Sequence, residues 1–156
     1  MASSPTNAPW PLPELSRARR AIVVVDVVES VRLMQEDEAG FIDRWRRFVH
    51  AVRTDVLPQH GGRMVKSLGD GMLLEFGTVP SAAAAALRMQ VLASTIDAAG
   101  TQALLPLRMG LHPSDITIDA DDIYGAGVNL TARLATLARP GEIVLSAQAR
   151  EELIQG

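Results

Sequence analysis

Asp26, Lys66, Asp70, Asp122, Asn129 and Arg133 are the residues whose types and settings allow chemistry. Asp26 interrupts the apolar run Ala21-Ile22-Val23-Val24-Val25-Asp26-Val27-Val28. A carboxylate there is expensive unless it is paired, hydrogen-bonded or bound to a cation; the plainer alternative is that it caps the following turn. Asp70 sits in Ser67-Leu68-Gly69-Asp70-Gly71, a break between two short apolar runs, with Lys66 just before it. Two carboxylates brought to one end of a sheet would repel unless divalent cations sat between them. Hard oxygen ligands of this kind suit Mg²⁺ or Mn²⁺ brought in with a phosphate. Asn129 and Arg133 are spaced i, i+4 and share a helix face, where a carboxamide and a guanidinium can hold a sugar and a phosphate. For each residue alone, a surface or turn role is the plainer reading. His50 and His60 lack the partners and spacing of a metal site.

The elements that must position these groups follow from pattern. Residues 1–20 carry Pro5, Pro9, Pro11 and Pro13, then Arg17, Arg19 and Arg20. That proline density predicts an extended, mobile lead-in before a domain over residues 21–156. Residues 21–28, β-branched without polar alternation, read as a central strand covered on both faces. Over residues 36–59, Phe41, Trp45, Phe48, Val49, Val52 and Val56 recur near a 3.6 period, which predicts a long amphipathic helix ending before Pro58 with its arginines solvated. Residues 61–76 read as a β-hairpin and 80–99 as a second helix closed by Gly100. A strand over 104–112 is expected to meet a bend or bulge at Pro113-Ser114-Asp115, with 116–118 as its continuation or a return strand. An acidic turn at 119–122, a helix over 128–138, a strand over 142–146 and a helix from 147 complete the chain.

The order strand, helix, strand, strand, helix, strand is the split βαβ of the ferredoxin-like fold, an α+β sandwich of antiparallel sheet and helices. In it the first and third strands are antiparallel neighbours, so Asp26 and Asp70 are expected at one sheet end. A chain of 156 residues can bury one core without staples. The absence of cysteine fits a reducing compartment, and a cytoplasmic location is expected. A net charge of −3 argues against broad nucleic-acid binding, and no apolar run is long enough to span a bilayer.

Taken together, Val25-Asp26-Val27-Val28-Glu29-Ser30 with Arg32-Leu33, then Gly61-Gly62-Arg63-Met64-Val65-Lys66-Ser67-Leu68-Gly69-Asp70-Gly71, then Asp122-Ile123-Tyr124-Gly125-Ala126-Gly127-Val128-Asn129-Leu130-Thr131-Ala132-Arg133-Leu134, and Pro140-Gly141-Glu142-Ile143 resemble the class III nucleotidyl cyclase catalytic domain, the family of adenylate and guanylate cyclases. The order and spacing of these motifs make the combination specific. The resemblance implies that Asp26, Asp70 and the Val27 backbone hold two divalent metal ions, Mg²⁺ or Mn²⁺. It implies that Lys66 and Asp122 read the base, that Asn129 orients the ribose and that Arg133 stabilises the transition state. Backbone amides across Val27, Val28, Glu29, Ser30 and Val31 would cradle the β and γ phosphates. It further implies a head-to-tail homodimer with two composite sites, each metal-binding half in one chain and the base, ribose and phosphate groups in the other.

Hydrogen bonding bears on the nucleotide. Lys66 only donates and ionised Asp122 only accepts, which suits adenine and hence ATP; cytosine offers the same order, and guanine reverses it. The expected activity is an adenylate cyclase, with use of CTP or GTP, or a silent nucleotide-binding or dimerisation module, as alternatives. An RNA-binding domain of this topology is disfavoured by the acidic balance and by the lack of paired aromatics on the hairpin. The hairpin turn also lacks the acidic Gly-Gly signature of diguanylate cyclases. Departures from the family pattern are Glu29, where Gly is frequent, Pro113-Ser114 in place of a Gly-containing bend, and Ala126, where a polar residue is frequent. The family's closing strand pair is expected to be missing before Gly156, with a fused regulatory domain possible after it.

Overall fold

A computed structural model of the chain describes residues 10–95 and 105–155. The sheet is built around β1 (Leu15–Val27), which pairs antiparallel with β3 (Gly71–Phe76) on one side and β4 (Leu107–Asp119) on the other. With β2 (Gly62–Ser67) beyond β3 and β5 (Asp122–Tyr124) beyond β4, the order is β2-β3-β1-β4-β5, and the short β6 (Ile143–Leu145) joins β4 in parallel. This is the α+β arrangement expected from the sequence, including the antiparallel pairing of the first and third strands.

The missing polar alternation of β1 has a direct cause in its double coverage. Ala21, Val23, Val25 and Val27 enter a core shared with Phe41, Phe48, Met72, Leu74 and Met89, while Ile22 and Val24 enter a second one with Val65, Leu73, Ile116 and Ile123. The first core lies under α2 (Glu38–Ala51) and α4 (Val79–Thr95). On the opposite side α5 (Ala126–Leu137) contributes Ala135 and Val128 to the second. Gly110 of β4 is what lets α5 come down so closely, since a Cβ there would lie 2.4 Å from the Thr131 carbonyl oxygen.

Several expectations are corrected. The first strand starts at Leu15 rather than 21, because residues 15–20, free of proline, pair with 114–119 of β4. Residues 1–9 of the expected lead-in lie outside the described residues, as do 96–100 at the expected end of the second helix. The long helix over 36–59 is divided. A short α1 (Ser30–Glu36) stops at Asp37, whose side chain caps α2 by accepting from Gly40 N at 3.1 Å. From Ala51 the chain then passes through a π-helical turn (Val52–Val56) into α3 (Leu57–His60), so the helix runs through Pro58 instead of ending before it. A widened turn displaces the carbonyl that a proline ring would strike and absorbs the missing N–H. Arg44 is buried, 4.0 Å from Asp37, not solvated.

No bend interrupts β4 at Pro113. The strand continues through it, paired with Ala21 of β1, and no described strand lies on its other edge at that point, β6 ending opposite Leu111 and β5 pairing only with Thr117 to Asp119. Proline is tolerated where only one side of the ladder is used. β2 carries a bulge between Met64 and Lys66.

Candidate active site

The side chain of Asp26 emerges near the end of β1, opposite Gly71 of β3 and Arg108 of β4. Arg108 clasps it, with Nε 2.9 Å and Nη2 2.8 Å from Oδ2. A partly buried carboxylate is thus tolerated by a charge-assisted pair. Gly71 leaves the strands free to close here, since a Cβ on it would lie 2.5 Å from the Val25 carbonyl oxygen. Asp70 occupies the turn between β2 and β3. Its backbone oxygen accepts from Val27 N at 3.0 Å, and its Oδ2 accepts from the Ser30 hydroxyl. Asp26 and Asp70 therefore stand at one end of the sheet, joined through the backbone of Val27.

Each carboxylate has Oδ2 engaged, and Oδ1 of each carries no hydrogen bond among the described residues. Carboxylate oxygens are hard donors of the kind that suits Mg²⁺ or Mn²⁺, ions usually held by one or two carboxylates with substrate phosphates and water completing the shell. No group of three or more metal-ligating side chains exists among the described residues.

The segment after β1 departs in part from the expected phosphate cradle. Val27 N is spent on Asp70 and Val28 N on the Pro106 carbonyl at 2.8 Å, which leaves the amides of Glu29, Ser30 and Val31 at the start of α1. Glu29 has a left-handed backbone, φ 56°, which explains why glycine is favoured at such a position. Its carboxylate is turned to Arg32, 2.8 Å away, and Arg32 also reaches Glu36 at 2.9 Å. These carboxylates hold the Arg32 guanidinium pKa above its ordinary value.

Lys66 and Asp122 sit on β2 and β5, the two ends of the strand order, yet Lys66 Nζ is 3.2 Å from Asp122 Oδ2. Only a strongly curled sheet brings its extremes together in this way. The Asp122 carboxyl is held below its usual pKa first by the Ile123 amide, 2.8 Å from Oδ1; partial burial opposes the shift, and the Lys66 ammonium adds to it. An ionised acceptor thus stands beside a fixed donor. Lys66 and Asn129 line one cavity of about 320 Å³ together with Leu68 and Tyr124. Arg133, one turn further along α5, is exposed. Asp70 and Ser30 line a different hollow of about 480 Å³, with Val31, Met34, Phe41 and Trp45. Within one chain the structure therefore gathers Asp26 with Asp70, and Lys66 with Asp122 and Asn129, in separate places.

Sequence reasoning missed Arg108 and the Ser30 hydroxyl. Arg108 had a signal, since a charge inside the apolar stretch Leu107-Arg108-Met109-Gly110-Leu111 is as anomalous as Asp26 in its own strand. The reach of Ser30 had none, because its partner is 40 residues away.

A family model described as the adenylate and guanylate cyclase catalytic domain matches residues 17–155. The chain is 36% identical over 138 residues to putative adenylate cyclase 3 of Rhizobium meliloti (strain 1021), covering 85% of this chain and 23% of that protein. It is 32% identical over 148 residues to an adenylate cyclase of Streptomyces coelicolor, covering 91% of this chain and 36% of that one. The chain thus spans a minor part of these curated relatives. Among solved structures, an adenylate/guanylate cyclase/hydrolase from Silicibacter pomeroyi superposes with a TM-score of 0.75 at 30% identity, covering 88% of this chain and 81% of that one. The catalytic core of a rhodopsin-guanylyl cyclase, at 17% identity and a TM-score of 0.81 over 90% of this chain and 84% of that one, shares the fold. With almost its whole described length matched, the chain belongs to the adenylate and guanylate cyclase catalytic domains, the class III nucleotidyl cyclases.

Proposed function

We propose that the chain is the catalytic domain of an adenylate cyclase that converts ATP to 3′,5′-cyclic AMP and pyrophosphate, at sites shared between two copies arranged head to tail. The observation that carries this reading is the 3.2 Å pair of Lys66 and Asp122. An obligate donor beside an obligate acceptor matches N1 and the six-amino group of adenine, whereas guanine presents the reverse and would leave both mispaired. Cytosine shares adenine's order, so product identity is the deciding measurement.

In this reading Asn129 hydrogen-bonds the ribose and aims its 3′-oxygen at the α-phosphorus. The new oxygen–phosphorus bond forms as the bond to the bridging oxygen of pyrophosphate breaks, and a proton is released. Arg133 meets the charge that grows on the phosphoryl oxygens, so that positioning and electrostatics supply most of the rate. The amides of Glu29, Ser30 and Val31 face the outer phosphates, and Asp26, Asp70 and the Val27 carbonyl hold two divalent ions. Those ions, when bound, supply Lewis-acid activation of the attacking hydroxyl and charge neutralisation on the triphosphate. Two copies are invoked because in one chain Asp70 lines one cavity and Lys66 with Asn129 lines another. A symmetric pair would complete two equivalent sites.

The test is incubation of the purified chain with Mn²⁺ and each of the four ribonucleoside triphosphates, with identification of any cyclic product. Cyclic AMP as the main product supports the reading; cyclic CMP or cyclic GMP in its place reassigns the base site, and the absence of any product with a well-folded dimer makes the domain a silent module.

A further inference from the structure

His112 is buried on β4, two residues beyond Gly110 and so on the face that α5 covers. Two helices begin against its ring. α5 starts after Gly125 with no side-chain cap, and a Cβ on its Gly127 would lie 3.3 Å from His112 Cδ2. α6 (Ala147–Gln155) is capped by Ser146, whose Oγ accepts from Ala149 N at 3.1 Å and lies 2.8 Å from His112 Nδ1. The first amides of a helix are unsatisfied donors at the positive end of its dipole, so a neutral ring is accepted between two such ends and an imidazolium is not. The neutral ring can also take the Ser146 proton at Nδ1, whereas the charged ring has only donors to offer.

The surrounding charges do not relieve this. Burial first, and then the Arg19 charge on β1, disfavour protonation, while Glu152 on α6 opposes them. Glu152 is itself engaged by Arg19 at 3.0 Å, and Arg19 also stands 3.9 Å from Asp115 of β4. The first turns of α5 and α6 carry no carboxylate that could receive an imidazolium. We propose that His112 is a positioning residue for α5: with a neutral ring it seats the start of that helix, and with it Asn129 and Arg133, and when the ring takes up a proton the helix start is displaced and turnover falls. The inference rests on the roles proposed above for Asn129 and Arg133. Both lie within two turns of Gly127, so a shift at the ring contact is carried to them by the helix itself.

The experiment compares the unaltered chain with His112→Asn, whose carboxamide keeps a polar group near the place of Nδ1 and cannot take a charge, across a pH titration spanning the ordinary histidine value of about 6.5. The first readout is nuclear magnetic resonance of the His112 ring and of the Arg133 and Leu134 amides, which lie more than one turn beyond the ring contact. In the unaltered chain these amides are expected to shift with the midpoint of the ring, and in His112→Asn to stay still. The second is turnover of ATP with Mn²⁺. In the unaltered chain kcat is expected to fall by about tenfold per pH unit below that midpoint, and in His112→Asn to fall less, with KM changing alike in both. Ionisation of the nucleotide is common to the two chains and does not separate them. Amides that ignore the ring midpoint overturn the inference, as does an acid limb of equal depth in both chains. If neither chain forms a cyclic product at any pH, the proposed activity fails and the amides alone decide whether His112 seats α5. If His112→Asn does not fold, the midpoints in the unaltered chain decide it, coincidence supporting the inference and disagreement overturning it.

Discussion

Arg108 and Asp26 show how a charge survives in an apolar strand: each is unfavourable in its setting, and together they form a paired contact through two nitrogens of one guanidinium. Arg108→Ala leaves a partly buried carboxylate without its charged donor. The expected loss is about 1.5–3 kcal/mol, read as a fall in the thermal unfolding midpoint, and Asp26→Asn in the same background should recover part of it. No recovery in that double-mutant cycle would mean that Arg108 stabilises by packing alone. His112 offers a second test at this scale. Buried, with Nδ1 2.8 Å from Ser146 Oγ, it has its pKa lowered from about 6.5, first by burial and then by the Arg19 charge, with Glu152 opposing. Since the unfolded chain binds the proton more readily, stability from the neutral ring is present above about pH 6.5 and is lost as the pH falls toward the folded value. The unfolding midpoint should therefore decline on acidification below that point, and His112→Gln should flatten the decline within that window.

At the scale of elements, the proposed base-reading site depends on how α5 and the curled sheet meet. α5 carries Asn129 and Arg133, and it rests on β4 at Gly110, where an added methyl would lie 2.4 Å from the Thr131 carbonyl and 2.7 Å from Ala135 N. These are backbone atoms and cannot swing aside. Gly110→Ala should cost about 1–3 kcal/mol by overpacking and should lower turnover disproportionately, because shifting α5 misplaces two side chains of the proposed site at once. Parallel measurement of unfolding and of nucleotide turnover checks this; normal turnover with lowered stability would detach the site from the seating of α5. The bulge in β2 just before Lys66 belongs to the same set of devices, since bulges re-aim the side chains that follow them.

For the whole molecule, the separation of the two residue groups makes a subunit-mixing experiment decisive. Asp26→Ala and Arg133→Ala chains should each be inactive alone, and when mixed should regain about a quarter of the original activity: half of random pairs are heterodimers, each with one intact site of two. Proven heterodimers without activity would count against a site shared between chains. No helix among the described residues is long and apolar enough to cross a membrane.

The sequence by itself determined the order of the principal strands and helices, though not the short β5 or the separate α1, together with the double coverage of β1 and the approach of Asp26 to Asp70, because these follow from hydrophobic period and from a topology with few alternatives. It misjudged where regular structure bends. The π-helical turn before Pro58 and the passage of β4 through Pro113 depend on which edge or carbonyl faces a proline, and the pairing of residues 15–20 depends on β4 running long enough to meet them; local propensity carries no record of either. Only the tertiary structure decided that β2 and β5 curl together until Lys66 meets Asp122, and that Arg108 and Ser30 each take one oxygen of a carboxylate. Such contacts are set by sheet curl and strand register, which accumulate over the whole fold and leave no mark on neighbouring residues.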